Sequence, residues 1–96
     1  MSSETKFTQG PWRTQGWVPT WAYIPVKDAR YNVVCSLYPN AGHYTREDVE
    51  ANARLIAAAP DLYEALKIAY AHVSPAMQPT VYETMRAALS KARGEP

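Results

Sequence analysis

One cysteine, Cys35, is all the chain has, so an internal disulfide framework is excluded and the composition suits a reducing cytosol. Histidines number two, His43 and His72, too few and too far apart to make a spaced metal-ligand motif. The four glycines are scattered, and none belongs to a Gly-rich loop that could cradle phosphate. No apolar run reaches the 18 residues of a membrane span. The opening Met1-Ser2-Ser3-Glu4-Thr5-Lys6 lacks the apolar core of a secretory signal, so an intracellular setting is expected. Charge of one sign is scarce as well. The net charge is +1, with +2 over residues 1–44 and −1 over residues 45–96. That balance disfavours a nucleic-acid binder working by counterion release. No paired catalytic carboxylates and no Ser/His/Asp set can be recognised, so a non-enzymatic protein without cofactor or metal is expected.

What the chain does have is apolar and aromatic. Nearly half of its 96 residues are apolar, with three tryptophans and seven tyrosines, enough for one compact core near the lower size limit of unstapled domains. Prolines 11, 19 and 25 exclude helix from the N-terminal third and suit short, edge-like extended pieces. Residues 21–26 read as a strand with Ala22, Ile24 and Val26 on one face and Trp21 and Tyr23 on the other. A turn at Lys27–Arg30 leads into Tyr31–Tyr38, β-branched and aromatic, with Val33, Cys35 and Leu37 expected inward. Pro39-Asn40-Ala41-Gly42 ends that strand.

Helical signals follow. Thr45 and Asp48 have the spacing of a capping box, and a helix is expected to about Ala59. Its stripe is Val49, Asn52, Ala53 and Ile56, which would leave the Asn52 amide partly buried and bonded. Pro60 predicts a break, then a place for itself in the first turn of a second helix with a stripe of Leu62, Leu66, Ala69 and Val73. Thr80 and Glu83 suggest a second capping box, and Gly94 a C-terminal cap. The expected fold is therefore α+β: a small antiparallel sheet of two or three strands packed against three C-terminal helices. Residues 1–9 form a flexible lead and residues 10–94 a single domain in this reading.

Two elements, Gly10-Pro11-Trp12 and the run from Ala51 to Leu66 (Ala-Asn-Ala-Arg-Leu-Ile-Ala-Ala-Ala-Pro-Asp-Leu-Tyr-Glu-Ala-Leu), carry a resemblance. The chain resembles a group of short bacteriophage and prophage accessory proteins of unknown function. In that group Thr-Pro-Gly-Pro-Trp is the usual opening where this chain has Thr8-Gln9-Gly10-Pro11-Trp12, and leucine is common where Tyr63 stands. The resemblance implies a phage gene product acting in the host bacterial cytoplasm, of the kind that blunts host defence. It brings no catalytic residues with it.

Among single residues, Cys35 in mid-strand reads as a buried structural thiol. His43, close to Thr45, Glu47 and Asp48, reads as a surface or capping residue rather than a ligand, and His72 as a helix-end cation. Arg54 can pair with Glu50 one turn earlier. The aromatic set, with Tyr31 among it, exceeds what one sheet face needs. Trp12, Arg13, Trp17, Trp21, Tyr23, Arg30, Tyr38 and Arg54 are therefore the candidate partner- or ligand-binding residues. Two uses stay open. One is inhibition of a host protein, with an antiviral defence component as partner. The other is an oligomeric sponge for a nucleotide immune signal, holding phosphate with Arg13, Arg30 or Arg54 and bases with tyrosines. Free sheet edges would allow a homo-oligomer.

Overall fold

A computed structural model describes residues 6–16, 18, 23–39 and 43–95. Strands β1 (Arg13–Thr14), β2 (Ile24–Lys27) and β3 (Val33–Leu37) precede helices α1 (Arg46–Ala57), α2 (Ala59–Tyr70) and α3 (Pro79–Arg93). The strands form one antiparallel sheet in the order β1-β2-β3, and the α+β order expected from the sequence is the observed one. The chain gathers into two compact units, Thr8–Pro60 and Asp61–Pro96 with the leading segment to Phe7. The division falls inside α2, after Pro60.

The core of the first unit is Ile24 and Val26 from β2 with Val49 and Ala53 from α1. Ile24 and Val26 alternate along the central strand, so both meet the helix that lies on that face. Trp12, Val34, Cys35, Leu37, Ile56 and Ala57 pack around them. Pro25 is fully buried in mid-strand, yet the β1 ladder reaches only to Val26, so the missing amide of Pro25 lies beyond that ladder. On β3 the inward set differs from the expectation. The register runs Val26↔Cys35 and then Lys27↔Val33, so Val34 is an extra residue in a bulge. The bulge breaks the period of two: Val34 packs against the core, and Val33 is exposed.

Helix α1 starts as its sequence dictates. The Asp48 amide donates to Thr45 Oγ1 (3.1 Å) and the Thr45 amide to the Asp48 carboxylate (2.9 Å), a complete capping box. Asn52 is exposed, which corrects the expectation of a buried amide. The buried stripe is Val49, Ala53, Ile56 and Ala57, centred on the Ala53 side, and Asn52 lies off its opposite flank. The helix ends at Ala57, and α2 resumes at Ala59 with Pro60 in its first turn, as the proline requires.

In the second unit the buried side chains among the described residues are Tyr63 and Leu89. Leu62, expected on the stripe of α2, is exposed, and its neighbour Tyr63 is only 6% exposed. The reason is local. Phe7 packs edge-on against the Tyr63 ring with centroids 5.0 Å apart, Arg93 Nε donates to the Tyr63 hydroxyl (2.6 Å), and Lys67 and Arg93 lie over the ring at 5.8 and 5.7 Å. The second capping box does not form. Pro79 takes the first helical position, Gln78 becomes the cap without a side-chain bond, and Thr80 is already inside α3. The Glu83 carboxylate turns to Arg86 instead, at 2.9 Å. Gly94 closes α3 in the left-handed conformation, φ 75°, as expected of a C-terminal glycine.

Candidate functional site

The two sequence elements that carried the resemblance meet in space. A Cβ on Gly10 would lie 2.7 Å from Pro60 Cβ, so only glycine allows the Gly10-Pro11-Trp12 segment to reach the α1–α2 junction this closely. The Gly10–Pro11 peptide bond is cis. Trp12 then lies half-buried against the core, and its indole Nε1 donates to the Thr8 carbonyl (3.2 Å). Trp12 is thus largely a packing residue, which lowers its share in any exposed site.

Trp17 and Trp21 lie outside the described residues. Tyr23 and Tyr38 are brought together, stacked with ring centroids 5.6 Å apart and planes at 25°. Tyr38 follows β3 directly and is 61% exposed. Tyr31, Val33 and Tyr44 of the same unit are exposed as well.

The three candidate arginines do not converge. Arg13 shares a cleft with Thr14, Gln15, Lys27 and Tyr31. Arg30 lines another with Thr8, Gln9, Gly10, Asp28, Ala29 and Asn32. Arg54 lines a third with Thr14, Gly16, Ile24 and Glu50. No single phosphate grip made of all three exists among the described residues. The expected Arg54–Glu50 pair gives way to Arg46, whose Nε lies 3.3 Å from the Glu50 carboxylate.

Sequence reasoning missed Lys27 as a neighbour of Arg13, because only strand pairing reveals it: Arg13 stands opposite Lys27 and Thr14 opposite Val26. Beside it the β2–β3 turn is tightly made. Asp28 takes the amides of Arg30 and Asn32 on Oδ1, each at 2.9 Å, and its carbonyl takes the Tyr31 amide at 3.0 Å. Tyr31 is held there at φ 69°, a conformation rare outside glycine and asparagine. Desolvation pushes the Asp28 carboxyl up, but the amides of Asn32 and Arg30, the Asn32 side chain and the Arg30 charge outweigh it and hold it below its ordinary value. Burial pushes the Cys35 thiol up, which keeps it protonated and a poor nucleophile. His43 and His72 are both exposed. Among the described residues no three His, Cys, Asp or Glu side chains gather as a metal site would need, and no helix is long and apolar enough to cross a membrane.

These features define a small α+β protein with an exposed aromatic pair at the end of β3 and two opposed cations beside β1. The chain belongs to the family of the Salmonella phage P22 protein Y8K6, which matches it over residues 1–96. It is a bacteriophage protein. No curated protein and no solved structure matches the chain.

Proposed function

We propose that this phage protein works in the host bacterial cytoplasm as a non-enzymatic inhibitor that binds a host protein, a component of antiviral defence. The observation that carries this reading is the stacked Tyr23–Tyr38 pair at the end of the outer strand, with Tyr38 largely open to solvent. Rigid tyrosines anchor interfaces at little entropic cost, and a pair fixed by mutual stacking is already in its binding arrangement. Val33 and Tyr44 are further exposed apolar side chains of the same unit. Family membership supplies the phage setting and supports the choice of a bacterial partner.

The test is expression in bacteria carrying single defence systems, scored by plaque formation of a restricted phage and by binding between the purified protein and the components of any system it disarms. Wild-type protein restores plaques against at least one system. Tyr38→Ala binds the target about 30-fold more weakly, the loss of about 2 kcal/mol expected of an aromatic hot spot. Full binding by folded Tyr38→Ala and Tyr23→Ala proteins would reject this surface.

A further inference from the structure

Arg13 and Lys27 are direct partners in the β1–β2 pairing, which sets two cations side by side on one face of the sheet. Like charges at directly opposed positions weaken an antiparallel pair, so the fold itself gains nothing from this placement. Among the described residues neither side chain has an acidic partner. Asp28, next along the chain, is committed to the turn by the Arg30 and Asn32 amides and the Asn32 side chain. The cleft beside the two cations, about 270 Å³, is completed by Thr14, Gln15 and the Tyr31 ring. Tyr31 is 68% exposed, and its backbone is held in the left-handed conformation by a bond from its amide to the Asp28 carbonyl.

We propose that this cleft binds a nucleoside monophosphate, with the phosphate between the Arg13 guanidinium and the Lys27 ammonium and the base stacked on Tyr31. A guanidinium fork and a point cation are complementary ways to hold phosphate oxygens. An exposed aromatic ring is the platform that base stacking uses. Ligand pockets usually measure about 300–1,000 Å³, and a cleft just below that range suits one nucleotide and not a dinucleotide. The assignment needs one copy of the chain and no oligomer. It is independent of the host-protein reading, since neither Tyr23 nor Tyr38 lines this cleft.

Calorimetric titration at about 50 mM salt, where screening is weak, tests it with AMP, adenosine, inorganic phosphate and a phosphotyrosine peptide as probes. AMP binds saturably and about tenfold or more tightly than adenosine or phosphate alone. Arg13→Gln and Lys27→Gln each weaken AMP by about tenfold or more, the loss expected of one charge-assisted contact, and Arg30→Gln leaves it unchanged. Without ligand, Lys27→Gln melts no lower than wild type, because the substitution removes a repulsion. Absence of saturable AMP binding, or full AMP binding by Lys27→Gln, would overturn the site. Phosphate or the phosphotyrosine peptide binding as tightly as AMP would overturn the nucleotide assignment.

Discussion

The two units of this chain solve the problem of a small core in different ways. Thr8–Pro60 buries an aliphatic cluster, with Ile24 and Val26 fully enclosed between the sheet and α1 and six partly buried neighbours around them. In the unit that contains α3, Leu89 and the amphipathic ring of Tyr63 are buried, while Leu62, Ile68, Met77 and Val81 are exposed. Tyr63 is held by an edge-on ring, a guanidinium bond to its hydroxyl and two cations over its face. Such contacts are directional, and each contributes less than full burial of an aliphatic side chain.

The largest effect expected from this difference comes from cutting each core. Ile24→Ala should lower the protection of β2 and β3 amides in native-state hydrogen exchange by about 2–5 kcal/mol, the range for a large aliphatic cut from a packed core. Leu89→Ala should act by the same chemistry, with the loss appearing in α3. If every amide of both units falls together in both variants, the units unfold as one and the comparison breaks.

A smaller effect sharpens the picture of the first unit. Gly10→Ala places a methyl group 2.7 Å from Pro60 Cβ, a contact that backbone must relieve. A cost of about 1–3 kcal/mol is expected, as for an overpacked core, and urea unfolding followed by tryptophan fluorescence measures it. An unchanged midpoint would show that the Gly10-Pro11-Trp12 segment is free to move off the α1–α2 junction.

Much of this architecture was legible in the sequence. Thr45 and Asp48 announced the start of α1, Pro60 the break after it, and Gly94 the end of α3, because each acts through a short-range rule that needs no partner elsewhere. Ile24 and Val26 were legible as core by alternation alone. What escaped depended on contacts distant in sequence. The Val34 bulge is a property of the β2–β3 pairing and not of either strand. Tyr63 outranks Leu62 only because Phe7 and Arg93 reach it from both ends of the chain. Thr80 and Glu83 match a capping box in type and spacing, yet Pro79 is the better first residue and moves the start of α3. The candidate site divides along the same line. Tyr38 is exposed as an excess aromatic should be, but the meeting of Arg13 with Lys27 could be found only from register.

The smallest effect concerns acid, and it separates the units again. The Asp28 carboxyl is held below its ordinary value near 3.8 by the turn it builds. A carboxyl whose folded value is depressed contributes stability that is complete above the unfolded value and lost as pH falls through the folded one. The β2–β3 turn should therefore be fully stabilised at neutral pH and loosen only below pH 3.8, as protonation removes an acceptor from the Arg30 and Asn32 amides. Because Asp28 is only partly covered and its carboxylate bonds lie within the turn, the change should be local, visible in the amide resonances of Arg30, Tyr31 and Asn32 before the core melts. Asp28→Asn should erase that step and leave the α3 resonances untouched. If the variant keeps the same acid step, another group controls the turn, and Tyr31 is not held in place by Asp28.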